Sequence, residues 1–142
     1  MALIPAAGNR AACAQNMETI TDAAGRTVSV PVPAGRVICS GPGCLRLAVY
    51  LQATEQVIAV DSMEKDVSSG ADPRPYALAH PELRDLPMFG EFRGMDNPEL
   101  IAALDPQPEV IFKTFASMGH DPDELQKKTG IPVIVLHYRN LT

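Results

Sequence analysis

Short apolar runs alternate with longer mixed segments through most of the chain. Several of these runs are nearly continuous in apolar residues, which is typical of strands in a parallel sheet covered on both faces. The predicted strands are 37–40, 57–60, 88–89, 110–113 and 132–136. The predicted helices are 43–52, 98–104 and 122–129, with shorter helical pieces at 76–79 and 81–86. Strands that alternate with helices predict a three-layer α/β domain with a parallel sheet of about five strands.

Turn and capping residues mark the ends of these elements. Asn97 before Pro98 is typical of a helix start, as is Asp121 before the helix at 122–129, and Gly130 marks that helix's end. Two β-prone runs within 20–31 flank a turn that contains Gly25. The sequence therefore predicts a small β-hairpin ahead of the sheet.

The ends of the predicted strands give a candidate ligand surface. In parallel sheets, ligands bind outside the carboxyl ends of the strands. The exit segments 40–43, 61–62, 91–93, 113–115 and 137–139 are therefore expected on one rim. They hold three aromatic residues and three cations, namely Phe92, Phe115, Tyr138, Arg93, Lys113 and Arg139. This combination predicts a surface for a large, partly anionic ligand.

Length and charge exclude some functions. The chain has 142 residues, near the usual size of one domain, and a net charge of −5 from 12 Lys and Arg against 17 Asp and Glu. This balance argues against a general nucleic-acid binder, which normally carries a basic stripe. No apolar run reaches the roughly 18 residues of a membrane span. Residues 1–18 are Ala-rich, and the small-x-small triplet at 12–14 predicts a leader remnant or a disordered lead-in.

Three enzyme-like or metal-site interpretations remain open beside ligand binding. Gly41-Pro42-Gly43 with Asp61 resembles part of a dinucleotide-binding site, but Arg46 stands where the third glycine of that motif is needed. The nucleotide-binding domain of a Rossmann-type oxidoreductase is therefore kept only as an alternative. Cys44 at a helix start is a candidate nucleophile with His137 as its base, although a small packing residue is the simpler interpretation. The spacing of the histidines at 80, 120 and 137 matches no compact metal-binding motif. The three cysteines, at 13, 39 and 44, form no CxxC pair and predict no disulfide scaffold.

Four motifs in order resemble one protein family. They are ITDAAGRTVSVPVPAGRVICSGPG, LQATEQVIAVDS, FGEFRGMDNPELIAALDPQPEVIF and DELQKKTGIPVIVL, while RPYALAHPEL resembles iron-type members. Residues 19–142 are similar to the N-terminal lobe of the periplasmic solute-binding proteins that serve ABC importers of ferric siderophores, haem and cobalamin. These proteins are clamshells with a rigid interlobe helix, and 19–142 lacks the second lobe.

The resemblance implies a Rossmann-like lobe after a β-hairpin, a periplasmic or extracytoplasmic location, and neither catalysis nor a cofactor. The implied partners are a small metal chelate or oxyanion and the permease subunits of an ABC importer, with no nucleic acid. A surface that normally faces a second lobe also makes self-association an expectation. The expected ligand-binding residues are Gly41, Pro42, Gly43, Cys44, Asp61, Arg74, Tyr76, Phe92, Arg93, Lys113, Phe115, His137 and Tyr138. Glu99 matches the family's glutamate that docks onto the permease.

Overall fold

A small antiparallel hairpin precedes the main sheet. The computed structural model describes residues 15–66 and 74–137. Strand β1 (Asn16–Thr21) pairs with β2 (Thr27–Val32), and Gly25 lies in the turn with a φ of 77°. The predicted hairpin is therefore confirmed, and its first strand begins ahead of the predicted lobe boundary at Thr19. Most of the predicted leader, residues 1–14, lies outside the described residues.

The main sheet contains six strands in the part of the chain that the structure describes. They are β3 (Val37–Ser40), β4 (Val57–Asp61), β5 (Met88–Glu91), β6 (Met95–Asp96), β7 (Val110–Thr114) and β8 (Val133–Leu136), in the spatial order β6-β5-β4-β3-β7-β8. Strands β5, β4, β3, β7 and β8 are parallel to one another, and the edge strand β6 is antiparallel to β5. The predicted parallel sheet is confirmed. The two-residue strand β6 is an addition, because no strand was predicted between 88–89 and the helix at 98–104.

Within residues 15–66 and 74–137, five short α-helices connect the strands. They are α1 (Cys44–Tyr50), α2 (Ser62–Lys65), α3 (Pro75–Ala79), α4 (Pro98–Ala102) and α5 (Pro122–Thr129), with 3₁₀ turns at Thr54–Gln56 and Pro81–Asp85. The predicted caps are confirmed: Asn97 accepts backbone N–H bonds from Glu99 and Leu100, and Asp121 caps α5 in the same way. Helix α2 was not predicted. None of the helices within the described ranges is long and apolar enough to cross a bilayer.

Alternating side chains of the central strands fill two cores on opposite faces of the sheet. Cys39 of β3 packs in a cluster with α1 and the hairpin, whereas Ile38 packs with α4 and α5. Both clusters consist mainly of buried Val, Ile and Leu side chains, with Cys39 and Cys44 in the first and Ala59 and Phe89 in the second. Burial on both faces explains why the strands read as continuous apolar runs.

Asp22 ties the hairpin to the far edge of the sheet. Its carboxylate accepts N–H bonds from Ala24, Arg26 and Val135, and Ala23 N donates to the Val135 carbonyl at 3.1 Å. Burial acts to raise the pKa of Asp22, but these backbone donors and the charge of Arg26 lower it below its ordinary value. The hairpin is therefore anchored to β8.

Candidate functional site

The carboxyl ends of the parallel strands form one rim, as the sequence predicts. Across the sheet the rim runs from the loop after β5, past Asp61 of β4 and the 41–43 turn after β3, to the loop after β7 and His137 after β8. The chain leaves β3 toward β4 on one side, and β7 lies on the other side. The crevice expected from this reversal lies between the ends of β3 and β7.

Thr114 packs directly against the turn at that crevice. Its Oγ1 donates to the Pro42 carbonyl at 2.9 Å and lies near the Ser40 carbonyl at 3.4 Å. Gly41 has a φ of 88°, and a Cβ there would lie 2.7 Å from the Thr114 carbonyl oxygen. Gly43, with a φ of 73°, precedes α1. The glycines of this turn therefore serve a left-handed backbone and close strand packing.

Lys113 is a correction to the predicted rim. Its side chain is fully buried, and its Nζ lies 2.7 Å from Asp96 Oδ2, 3.2 Å from the Gly94 carbonyl and 3.4 Å from Ser40 Oγ. Ser40 Oγ also donates to Asp96 Oδ1 at 2.5 Å. Asp96 neutralises the ammonium group, so Lys113 is a structural cation beneath the rim. Sequence reasoning missed Ser40 and Asp96 as partners.

This buried cluster joins the loops on either side of the rim. The Gly94 carbonyl accepts from Lys113 and also from the His120 N–H at 3.3 Å. Gly119 approaches so closely that a Cβ would overlap the Gly94 carbonyl. The loop after β5 is consequently fixed against the loop after β7.

Three side chains stand out on the rim above this cluster. Phe115 is 37% exposed, Arg93 is exposed, and Phe92 is partly buried. The Arg93 guanidinium lies 5.7 Å from the centre of the Phe92 ring, and the Phe92 N–H donates to Ser62 Oγ at 2.9 Å. Arg93 and Phe115 have φ values of 65° and 55°, which L-residues adopt at a cost of about 1–3 kcal/mol. The fold holds both residues in this backbone conformation despite the strain.

A small polar cavity of about 30 Å³ lies between the ends of β3 and β4, with room for about two water molecules. Its lining includes Asp61, Glu64, Tyr76, Phe92, Gly41 and Gly43. Glu64, which sequence reasoning missed, is buried and accepts 2.7 Å bonds from Arg74 Nη1 and Tyr76 OH. The expected ligand residues Arg74 and Tyr76 are thus brought together, and both are bonded to Glu64.

The surroundings of this cavity raise the pKa values of two side chains, Asp61 and Tyr76. Burial, reinforced by the charge of Glu64, raises the pKa of Asp61 to about 6, against opposing N–H bonds and Arg74. Burial and the bond to Glu64 raise the pKa of the Tyr76 phenol well above its usual range. Tyr76 therefore remains protonated and donates to Glu64.

Cys44 is a second correction. Its side chain is 1% exposed, and Sγ lies 3.5 Å from the Phe112 carbonyl. A hydrogen bond with Cys39, followed by burial, raises the pKa of the Cys44 thiol well above its usual value. Both cysteines are free buried thiols. A buried thiol with a raised pKa is neither a nucleophile nor a ligand contact on the rim.

The remaining expected residues are spread around the lobe. His137 is exposed beyond β8, whereas Tyr138 and Arg139 lie outside the described residues. Glu99 is exposed in the first turn of α4. His80 is bonded to Glu82 at 2.8 Å near the opposite end of β4, and the described residues contain no cluster of three or more metal-ligating side chains.

Comparisons with known proteins agree with this architecture. No family model matches the chain. The molybdate-binding protein MolA of Haemophilus influenzae is 29% identical over 123 residues, which cover 84% of this chain and 32% of that protein. The structure of MolA bound to molybdate superposes with a TM-score of 0.62 at 30% identity, over 84% of this chain and 34% of that chain.

Two more distant structures share the fold. A periplasmic solute-binding protein of Veillonella parvula has a TM-score of 0.67 at 18% identity, covering 89% of this chain and 37% of that one. An ABC-type Fe³⁺-hydroxamate transport protein of Saccharomonospora viridis has a TM-score of 0.56 at 24% identity, covering 83% and 38%. The chain spans about a third of the length of the relatives it matches.

The resemblance to the N-terminal lobe of periplasmic solute-binding proteins is confirmed. MolA is the cognate molybdate periplasmic binding protein of an ABC transporter. At the family level, the matched relatives are therefore binding components of transporters. The burial of Cys44 removes the accessible thiol on which the Cys44-dependent enzyme alternative rested.

Proposed function

We propose that residues 19–142 form the N-terminal ligand-binding lobe of an extracytoplasmic solute-binding protein of an ABC importer. The supporting observation is the rim, where Arg93 lies over the Phe92 ring on the loop after β5 and Phe115 begins the loop after β7. Lys113 of β7 joins the two loops through its bonds to Asp96 and the Gly94 carbonyl. Arg93 and Phe115 both have a left-handed backbone conformation, and strained residues of this kind are common in binding sites. The rim offers one wall of a cleft, and a second wall is needed to bury most of a ligand.

The ligand class that fits these groups is a metal chelate or an oxyanion. Aromatic rings stack on the flat or apolar parts of a chelate, and a guanidinium binds its carboxylate or other anionic oxygens. The similarity to a molybdate-binding protein supports an oxyanion, whereas the motif in 74–83 supports an iron chelate. Both classes require Arg93.

Thermal unfolding with a ligand panel tests the proposal. The purified protein is heated with a ferric hydroxamate, haem, cobalamin or molybdate, and a true ligand raises the melting temperature. At a hundred times the dissociation constant, the gain is about 2.7 kcal/mol.

Two rim variants and one control sharpen the test. Arg93→Gln and Phe115→Ala are expected to lose the ligand-induced shift. Tyr50→Ala removes an exposed aromatic side chain at the carboxyl end of α1, away from the rim, and is expected to keep it. If no member of the panel shifts the melting temperature of the unsubstituted protein, binding at this rim is ruled out.

Glu99 is proposed as the contact with the permease. It is exposed in the first turn of α4, where its charge is also favoured by the helix dipole. Glu99→Gln is expected to leave ligand affinity unchanged and to lower ligand uptake by cells that carry the importer. Equal uptake by both forms would remove the docking role and leave the binding role intact.

A further inference from the structure

The charges of the rim favour some ligands over others. Among the predicted cations within the described residues, Lys113 is neutralised by Asp96, and Arg74 is held by Glu64 at 2.7 Å. Arg93 is exposed beside Phe92. A ligand that approaches the rim therefore meets Arg93 together with the Asp61 carboxylate, whose charge Arg74 only partly offsets.

Asp61 occupies a central place on this rim. It ends β4, next to β3 in the sheet, and shares the small cavity with Gly41, Gly43 and Phe92, which come from the loops on both sides. One carboxylate oxygen, Oδ1, accepts the Met63 N–H at 3.0 Å. The charge of Arg74 also favours the ionised form of Asp61, although the guanidinium forms its 2.7 Å bond with Glu64.

We infer that Asp61 determines ligand specificity: it accepts hydrogen bonds from ligands that carry O–H or N–H groups and opposes fully deprotonated oxyanions such as molybdate. This inference rests on the proposed function of the rim. A partly buried carboxylate repels a dianion that binds beside it, and binding sites commonly use such repulsion between like charges to reject the wrong ligand. A protonated oxyanion or a chelate with N–H groups instead satisfies the acceptor.

The surroundings of Asp61 make this selection dependent on pH. Among the described residues, the titratable and charged groups that face it are Glu64 of α2, Arg74 and Tyr76 at α3, and Cys39 of β3. Burial and Glu64 raise the pKa of Asp61 to about 6, so its charge is lost as the pH falls through that value. Below it, the neutral carboxyl no longer repels a dianion and can donate a hydrogen bond to it.

The test compares Asp61→Asn with the unsubstituted protein by isothermal titration at pH 7.5. Asparagine keeps the oxygen that caps α2 and removes the charge. We expect molybdate affinity to rise about tenfold or more, and the ratio of phosphate to molybdate affinity to fall, because phosphate keeps a proton at neutral pH. Glu55→Gln removes an equal charge at the other end of β4 and is expected to change molybdate affinity less than about twofold.

A second arm uses pH. Lowering the pH from 7.5 to 5.5 is expected to strengthen binding of molybdate to the unsubstituted protein and to leave Asp61→Asn nearly unchanged. Asp61→Ser, which also keeps a capping oxygen, replaces Asp61→Asn if circular dichroism shows that the latter is unfolded.

The outcomes separate the two proposals. If Asp61→Asn leaves molybdate affinity unchanged, or if Glu55→Gln raises it equally, the specificity role is overturned while the rim remains a binding site. The same holds if chelates bind but no variant binds molybdate. If neither the unsubstituted protein nor any variant binds molybdate, phosphate or a chelate, the proposed function itself fails and the inference fails with it.

Discussion

Replacing Lys113 with methionine tests whether the buried ion pair supports the rim. Methionine fills a similar volume but leaves the Asp96 carboxylate, whose side chain is 1% exposed, without its cation. Removing one partner of a buried pair costs about 3–5 kcal/mol. The Gly94 carbonyl also loses one of its two donors, so the expected cost lies toward the upper part of that range.

That cost is a large part of the stability of a domain of this size, which is typically about 5–15 kcal/mol. At about 3 °C per kcal/mol, the melting temperature should fall by about 10–15 °C. Urea unfolding gives the free energy directly. Lys127→Met, which removes an exposed lysine in the last turn of α5, is the matched control and should change stability by less than about 0.5 kcal/mol.

A double variant separates the pair from simple loss of packing. Lys113→Met combined with Asp96→Leu removes both charges, and such replacements are often nearly neutral. We expect the double variant to be more stable than Lys113→Met alone. If Lys113→Met costs less than about 1 kcal/mol, or if the double variant loses the sum of the two single effects, the reasoning about the buried pair is refuted.

Three further predictions concern the hairpin, the thiols and the β3 turn. Asp22→Ala should lower the free energy of unfolding by about 2–3 kcal/mol at pH 7, because buried N–H groups lose their acceptor. The pKa of Asp22 is lowered in the folded state, so its contribution to stability is lost as the pH falls. Urea titrations should therefore show the difference between the two proteins shrinking below about pH 4. In a Cys13→Ser background, Cys44 should react with a disulfide reagent at pH 8 only when the protein unfolds, and rapid labelling of the folded protein would contradict its burial. Gly41→Ala should destabilise the protein by about 2 kcal/mol more than Gly25→Ala in thermal unfolding. Both positions have positive φ, but only a Cβ at position 41 would meet a neighbouring backbone carbonyl. Equal losses of stability would show that the backbone around position 41 can move to accommodate the added methyl group.

The sequence predicted the layers of the fold and the position of the rim, because continuous apolar strands and helix caps are local signals. It could not assign Lys113. A lysine at the end of an apolar strand has the pattern of a rim cation, and its partner Asp96 lies 17 residues earlier in a segment where no strand was predicted. Glu64 was missed for the same reason, since its bonds to Arg74 and Tyr76 form only when α2 and α3 meet. Pairing between side chains distant along the chain depends on tertiary structure.

The bond between Asp22 and Val135 has a consequence for biosynthesis. The two residues are 113 positions apart, so a nascent chain leaving the ribosome displays the hairpin long before β8 has been made. Until then the Asp22 carboxylate lacks its Val135 donor, and Val28 and Val30 lack part of the core that covers them. Long-range contacts of this kind slow folding. The hairpin should therefore dock late, and its Val28 and Val30 side chains stay exposed until β8 has been made.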